Sequence, residues 1–283
     1  DMPHSMYVNM LDELLVLGTT GSDNFPVTAD ACQSTHHGGQ TIYYEGSSSI
    51  NFANGSDIFI SRLSPDGTQL GASTYIGGSG NDGLNYRPHF NNSYQIIMAG
   101  NDSLYYNYGD GARGELITDK QNNVYVGSTT FSSDFPTSAH CIQGSLHGGQ
   151  EGVIFKLDYN LRQMLWSTFI GGTADDAVYS IDVDSSYNLI ACGGTCSADF
   201  PTTPDAYNST YNGGSTDGFI CKVTRSGDRL LASTLFGSDA YDQCYFVRRG
   251  SNDDIFIFGQ TKAAGSTLIH NANYNVPNSG QFL

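Results

Sequence analysis

Short runs of alternating apolar and polar residues recur along the chain, and turn residues separate them. Four runs follow one another in the middle of the sequence: Leu116–Thr118, Asn123–Gly127, Gly152–Leu157 and Gln163–Phe169. A period of two is typical of β-strands, and no long stretch has the period of an α-helix. Asp158-Tyr159-Asn160 lies between the third and fourth runs, where a hairpin turn is expected. The pattern predicts an all-β chain.

Three motifs recur in a fixed order, which is the signature of a repeat architecture. The first ends in Phe-Pro and occurs at Gly18–Pro26, Gly127–Pro136 and Gly193–Pro201. The second is a short apolar strand and occurs at Ser56–Leu63, Glu151–Leu157 and Asp217–Val223. The third ends in Gly-Gly or Gly-Ser and occurs at Ser73–Gly78, Ser167–Gly172 and Ser233–Ser238. Four antiparallel strands in each repeat predict the blades of a β-propeller, whereas a β-sandwich does not predict the same motifs three times.

The spacing of the motifs sets the length of the repeat. Pro136 and Pro201 are 65 residues apart, and the first unit is longer. We predict two insertions in it, near Thr41–Asn54 and near Asn85–Arg113. The expected blades are about 5–84 with an insertion to 113, about 114–176 and about 177–242, with a partial fourth at about 243–283, in a single region of residues 1–283. We expect this region to belong to a larger propeller.

The three motifs resemble the bacterial SBBP (β-propeller) repeat over most of Met6–Asp242. Asn107-Tyr108-Gly109-Asp110 and Arg113-Gly114-Glu115 also resemble a segment of large surface proteins of the Bacteroidota, which are substrates of type IX secretion. The resemblance implies an exported propeller, secreted or at the cell surface, and no defined activity. Its implied partners are a protein or a glycan at the cell surface, or outer-membrane proteins of the secretion system.

The charge balance narrows the choice of partners. The formal net charge is −16, with 28 acidic and 12 basic residues. A nucleic-acid partner is excluded because it requires a basic surface that neutralises phosphates. No apolar run approaches the ~18 residues of a membrane-spanning helix. The chain opens on Asp1-Met2-Pro3-His4 without a signal peptide, so we expect the numbering to begin inside a longer precursor.

Two aspartate positions recur in the units and allow two explanations. One precedes the Phe-Pro pair, at Asp23, Asp134 and Asp199, and the other follows the third motif, at Asp82, Asp176 and Asp242. Aspartate in a turn accepts backbone N–H bonds, and the repetition favours this structural role. The alternative is a calcium site at Asp82, Asp176 and Asp242, because calcium takes carboxylate oxygens as ligands. No other cofactor is indicated.

The histidines also repeat. His37-Gly38-Gly39 aligns with His147-Gly148-Gly149 and Asn212-Gly213-Gly214. Because asparagine replaces histidine in one unit, the pair His36-His37 predicts a turn with positive φ rather than a metal site.

The six cysteines show no zinc-ligand spacing. Cys192 and Cys221 lie on neighbouring predicted strands, where a disulfide requires Cβ atoms that face each other. The phenylalanines of the Phe-Pro pairs, Phe25, Phe135 and Phe200, are expected to anchor their loops in the core.

The insertions are the predicted binding elements, because no other unit shares them. Tyrosine supplies a large, rigid contact area with a polar tip, and loops on a rigid scaffold commonly carry binding. The candidate binding residues are Tyr43, Tyr44, Tyr105, Tyr106 and Tyr108. The alternative is that these loops pack on neighbouring blades.

No motif indicates an enzyme, since the sequence contains neither a Gly-x-Ser-x-Gly elbow nor a local nucleophile and base. We expect a non-enzymatic module for binding, adhesion or structural scaffolding. One alternative is a carbohydrate-active enzyme on a propeller scaffold, which requires acids or histidines from different blades to converge in one pocket. The other is a passenger or component of the type IX secretion machinery.

Overall fold

The computed structural model describes residues 1–44, 51–85, 89–91, 94–97, 104, 110–263, 268 and 280–283. The helical structure among these residues is one 3-10 turn at Asp110–Ala112, so the all-β prediction is confirmed. None of the described segments forms a helix of the length and hydropathy that a bilayer crossing requires. The first strands are β1 (Met2–Val8), β2 (Leu14–Thr20), β3 (Ile42–Tyr44), β4 (Asn51–Phe52), β5 (Asp57–Leu63), β6 (Leu70–Ile76), β7 (His89–Asn91) and β8 (Tyr94–Ile97). The remaining strands are β9 (Glu115–Thr118), β10 (Val124–Thr130), β11 (Glu151–Leu157), β12 (Met164–Ile170), β13 (Asp176–Val183), β14 (Leu189–Thr195), β15 (Asp217–Val223), β16 (Leu230–Phe236), β17 (Asp242–Arg249), β18 (Ile255–Thr261) and β19 (Gln281–Phe282).

Four sheets follow the sequence repeat, and we call them units 1 to 4. Unit 1 has the strand order β1-β2-β5-β6, unit 2 the order β9-β10-β11-β12 and unit 3 the order β13-β14-β15-β16. All their pairings are antiparallel, as predicted for four strands per repeat. Unit 4 contains β17, β18 and β19 in the part of the chain that the structure describes.

The junction aspartates lie in the first strands of units 3 and 4 and beside the second strand of unit 2. Asp176 and Asp242 are the first residues of β13 and β17, and so they open units 3 and 4. Asp82 forms an isolated antiparallel bridge with Thr130 of β10, which places it in unit 2. The second insertion lies between this bridge and β9, and both Asp82 and β9 pair with β10.

The two insertions meet in space. Their described strands form a small sheet of order β4-β3-β8-β7, in which β3 and β8 pair in parallel. Parallel pairing joins segments that no single hairpin can connect, so the sheet ties the insertion of unit 1 to the insertion of unit 2.

Consecutive units pack face to face, which explains why their strands are apolar on both sides. Phe155 of β11 is fully buried in a cluster with Leu17 and Ile60 of unit 1. Tyr125 of β10 points to the opposite face and joins a cluster with Phe219 of unit 3. Burial of side chains of this size contributes roughly 1.5–3 kcal/mol each. Phe135 and Phe200 belong to these same clusters, so their predicted role as anchors is confirmed.

A partly buried ion pair recurs in units 1 to 3, between the first hairpin and the third strand. The pairs are Glu13–Arg62, Asp119–Lys156 and Asp184–Lys222. In unit 3, the carboxylate of Asp184 also accepts the backbone N–H groups of Ser186 and Asn188 and so closes its own turn. A feature present in every complete unit serves the architecture of the repeat.

Candidate functional site

The first strands of all four units line a common cleft. It consists of a lower cavity of about 290 Å³ and an upper cavity of about 270 Å³. Glu115 of β9 lines both cavities. Tyr7 of β1, Asp182 of β13 and Arg248 of β17 line the lower one. Because the units contribute different residues at this place, the cleft has chemistry that the repeat itself does not provide.

β-bulges in the first strands direct side chains into the upper cavity. The register shifts once in each of β1, β13 and β17, and the residues that it leaves unpaired are His4, Tyr179 and Tyr245. A bulge bends its strand and re-aims the extra side chain. His4 and Tyr179 accordingly line the upper cavity. In unit 2 the chain returns from its insertion at this same place and contributes Arg113.

An ion pair crosses the lower cavity and joins three units. The guanidinium of Arg248 binds both carboxylate oxygens of Glu115, with 3.1 Å between Nη1 and Oε2. Glu115 Oε2 also accepts the hydroxyl of Ser180 at 2.5 Å and the backbone N–H of Ile181 at 2.9 Å. The hydrogen bond to Glu115 raises the pKa of Arg248. Because these residues belong to units 2, 3 and 4, the pair fixes the relative position of three first strands.

The upper cavity combines aromatic rings with one guanidinium. Arg113 lies over the ring of Tyr245, 4.2 Å from its centroid, and within 6 Å of the rings of Tyr179 and Phe246. Cation–π contacts of this kind stabilise a guanidinium beside aromatic rings. Burial lowers the pKa of His4 to about 4, so its imidazole is neutral at pH 7. The cavity therefore combines the exposed ring of Phe246 with hydrogen-bonding groups.

The carboxylates of the cleft already have hydrogen-bond donors. Glu115 is held by Arg248, and Asp182 Oδ2 accepts the backbone N–H of Arg249 at 2.8 Å. A glycosidase needs one carboxyl group that stays protonated and a second that stays ionised. The acids converge as the enzyme hypothesis requires, but their contacts suit strand packing and ligand recognition better than proton transfer.

A second set of acids recurs where consecutive units meet. Asp82 Oδ2 accepts the backbone N–H of Gly78 and the hydroxyl of Ser132, both at 2.9 Å, and the hydroxyl of Thr130 binds Oδ1. Asp176 accepts the N–H of Gly172 at 2.8 Å in the same way. The prediction that these aspartates accept turn N–H groups is confirmed.

Each of these aspartates faces another acid at the start of a third strand, and the pairs are Asp57–Asp82, Glu151–Asp176 and Asp217–Asp242. A Cβ atom on Gly77 would lie 2.6 Å from Asp82 Oδ2 and 2.9 Å from Asp57 Oδ1, which shows how close the two carboxyl groups are. Burial raises the pKa of Asp82 well above its usual value. It raises the pKa of Asp176 and of Asp217 to about 7. These pairs therefore retain a proton near neutral pH.

The calcium hypothesis stays a prediction. Asp82, Asp176 and Asp242 lie at three different junctions, each beside one other acid. No group of three or more His, Cys, Asp or Glu side chains suited to a metal ion occurs within the described segments.

The histidine turn differs from the prediction in one respect. The positive φ belongs to Gly38, at 70°, and not to His37. The backbone N–H groups of His37 and Gly38 both donate to the carboxylate of Asp57 at 2.8 Å. His37 Nδ1 lies 3.3 Å from the carbonyl oxygen of Gly77, and in unit 3 the amide of Asn212 donates to the equivalent carbonyl of Gly237. Asparagine replaces histidine because either side chain can reach this carbonyl.

The condition for a disulfide between Cys192 and Cys221, Cβ atoms that face each other, is not met. Cys221 pairs with Ala191, so the two thiols point to opposite faces of the sheet. Cys192 lies in the cluster shared with unit 4, and Cys221 lies in the cluster shared with unit 2. All six cysteines are free.

The tyrosine candidates stay predictions. Tyr43 and Tyr44 lie in β3, and their side chains fall outside the description. Tyr105, Tyr106 and Tyr108 lie outside the described residues. Sequence reasoning missed Arg113 and the first-strand residues that form the cleft. The signal for them is a charged or aromatic residue, unique to one unit, on a strand that is otherwise apolar.

Comparison with models of known protein families gave no match, and a search of curated proteins gave none. The resemblance to the SBBP repeat therefore rests on the motifs themselves.

Proposed function

We propose that the chain is a non-enzymatic binding and scaffolding module of β-propeller type, exported to the cell surface or the medium. The observation that carries the proposal is the convergence of four first strands on one cleft. Blades around a central channel have this geometry. The cleft gathers residues that differ between units, as a ligand site on a repeated scaffold requires. The resemblance to SBBP repeats supports the export.

The chemistry of the upper cavity favours a glycan over a polypeptide as the partner. Sugar rings present flat apolar faces edged with hydroxyl groups. Phe246, which is 46% exposed, offers a ring face, and the guanidinium of Arg113 lies beside it. We therefore assign the upper cavity as the place where the glycan binds.

Calorimetric titration with hexasaccharides of glucose, N-acetylglucosamine and galacturonic acid tests this assignment. We expect at least one of these probes to bind, and Arg113→Gln to weaken that binding by about tenfold or more, as loss of a charged hydrogen bond implies. Arg162→Gln is the matched control, because Arg162 is exposed and pairs with Asp30 outside the cleft. Binding that is equal in both variants would contradict the assignment.

Two further assays, for reducing ends and for co-purified proteins, separate the alternatives. Release of reducing ends by the wild-type chain, abolished in Glu115→Gln, would favour the carbohydrate-active enzyme. Recovery of outer-membrane proteins with the native protein, without any glycan binding, would favour a passenger or component of the type IX secretion machinery.

A further inference from the structure

A hydrogen-bonded latch joins consecutive units. Asp134 of unit 2 accepts the backbone N–H of Ser79 at 2.8 Å and its hydroxyl at 3.0 Å. Ser79 belongs to the Gly-Gly-Ser turn that follows β6 of unit 1. Asp199 of unit 3 accepts the N–H of Thr173 at 2.9 Å and its hydroxyl at 3.0 Å, from the Gly-Gly-Thr turn after unit 2. The later unit thus supplies the acid, and the earlier unit supplies the turn.

Unit 1 has the acid of this latch without a turn. Asp23 occupies the position of Asp134 and Asp199, is exposed, and has no hydrogen-bond or ion-pair partner among the residues that the structure describes. The neighbouring Ser22 donates its hydroxyl to Asp1 at 3.0 Å. Ser132 makes the same bond to Asp82 in unit 2. At each described junction the later unit supplies these acids and the serine. Unit 1 therefore carries everything that the later unit of a junction supplies.

The sheet of unit 1 has an uncovered face that matches this half-junction. We call the face that packs on the preceding unit face A. By strand register, Val16 and Leu63 of unit 1 occupy the positions that Val126 and Leu157 occupy in unit 2. In unit 2 these face A residues are 0% exposed, at Val126 and Leu157, whereas Val16 and Leu63 are only half-buried. Face A of unit 1 is apolar, and no described element covers it as unit 1 covers unit 2.

We propose that face A of unit 1, with Asp1 and Asp23 at its edge, is the docking surface for another four-stranded unit of the same repeat. This unit ends in a Gly-Gly-Ser or Gly-Gly-Thr turn and belongs to the same polypeptide. In the described junctions the turn N–H comes from the residue four positions before the aspartate, as Gly78 does for Asp82 and Gly172 does for Asp176. The proposal continues an interface that the chain already uses, and it does not depend on the ligand of the cleft.

A second copy of the chain is the competing occupant of this surface, and the experiment distinguishes it from a further unit of the same polypeptide.

The chain supplies the material for the test. A copy of residues 176–241, which is unit 3 with its turn, is given Ser238→Gly and Asp239→Thr so that it ends in a Gly-Gly-Thr turn. It is joined directly before Asp1, because Asp1 takes the place of Asp242. Unfolding by urea is then compared for the extended and the original chain, each with and without Asp23→Asn. We expect Asp23→Asn to raise the unfolding equilibrium constant of the extended chain roughly three- to thirtyfold and to leave the original chain unchanged. Asp205→Asn, at an exposed position, is the control for the lost charge.

Val16→Asp gives a second, independent readout. It should raise the unfolding equilibrium constant of the extended chain by a factor at least ten times larger than for the original chain, because it places a charge in the new interface. The proposal is overturned if neither substitution has a larger effect in the extended chain than in the original chain. Such a result includes the case in which the added unit does not fold onto unit 1. Sedimentation of the original chain as a dimer, abolished by Val16→Asp, would also overturn it, because a second copy would then occupy the face.

Discussion

The acid pair of Asp217 and Asp242 should make the protein less stable as the pH rises, and Asp217→Asn should remove that dependence. Asp217 Oδ2 accepts the backbone N–H of Asn212 at 2.8 Å, a bond that an asparagine oxygen preserves. Asp217 Oδ1 has no hydrogen-bond partner in the described part of the chain. Burial first, and the charge of Asp242 in addition, raise the pKa of Asp217 to about 7.

The magnitude follows from the difference between the folded and unfolded pKa. An aspartate in an unfolded chain titrates near pKa ~3.9. Between about pH 4 and pH 7 the folded protein holds a proton that the unfolded chain has lost, so the free energy of unfolding falls as the pH rises. Its contribution is fully present below pH ~4 and is lost by pH ~7. At about 1.4 kcal/mol per pKa unit the loss is about 4 kcal/mol, and sharing of the proton between the two acids reduces it to about 2–4 kcal/mol.

Urea unfolding followed by circular dichroism at pH 4.5, 6 and 8 measures this effect. We expect Asp217→Asn to exceed the wild type by about 2–4 kcal/mol at pH 8 and to come close to it at pH 4.5. Asp205→Asn removes the same charge at an exposed position and should show no such dependence. A difference between Asp217→Asn and the wild type that is equal at pH 4.5 and pH 8 would refute the reasoning. Loss of stability in Asp217→Asn at pH 8 would refute it as well.

Three further predictions concern single contacts. The pKa of Asp184 is lowered to about 2, with Lys222 and Asn188 as its bonding partners. Asp184→Asn should therefore lower the free energy of unfolding by about 1–3 kcal/mol at pH 7, and urea unfolding should show this loss shrink as the pH falls from 4 to 2. Asp199→Ala removes both bonds from Thr173 and should cost about 1 kcal/mol in thermal unfolding, and no loss would contradict the latch. Gly193→Ala places a Cβ atom 1.8 Å from the carbonyl oxygen of Ala177 and should prevent folding or cost about 3 kcal/mol or more, measured by circular dichroism. Gly144→Ala is its control, since the new Cβ atom meets only Cys141 Sγ, at 3.5 Å.

The strands were largely predictable because apolar alternation and turn residues mark them. The run Gly152–Leu157 became the strand Glu151–Leu157. The run Asn123–Gly127 became Val124–Thr130, and the difference has a physical cause. Thr129 and Thr130 look like loop residues in a hydropathy pattern, yet both are buried. The hydroxyl of Thr130 binds the junction acid Asp82, so a polar residue is satisfied inside the sheet.

The cleft was not predictable because its members meet only through the stacking of units. Glu115 and Arg248 are 133 positions apart in the sequence. The repeat does separate residues that every unit shares from residues unique to one unit. It does not show which unique residues face each other, because that depends on how far each sheet is rotated against the next. The bulges that aim His4 and Tyr179 into the upper cavity are likewise changes of register that leave no mark in the hydrophobic pattern.

The junction between units 3 and 4 shows that the repeat preserves a hydrogen bond rather than a residue. Ser238 replaces the second glycine of the turn, and Ala263 takes the place that Ser132 holds in unit 2, since each donates its N–H to the threonine two residues before it. The hydroxyl of Ser238 donates to Asp242 at 2.6 Å and so replaces the missing serine. The same hydroxyl accepts the N–H of Ala240, as Ser132 accepts that of Gly80. Ser238 and Ala263 both depart from the motif, but together they keep the hydroxyl donor and move it from the later unit to the earlier one. A buried acid must keep its hydrogen-bond donors, whichever unit provides them.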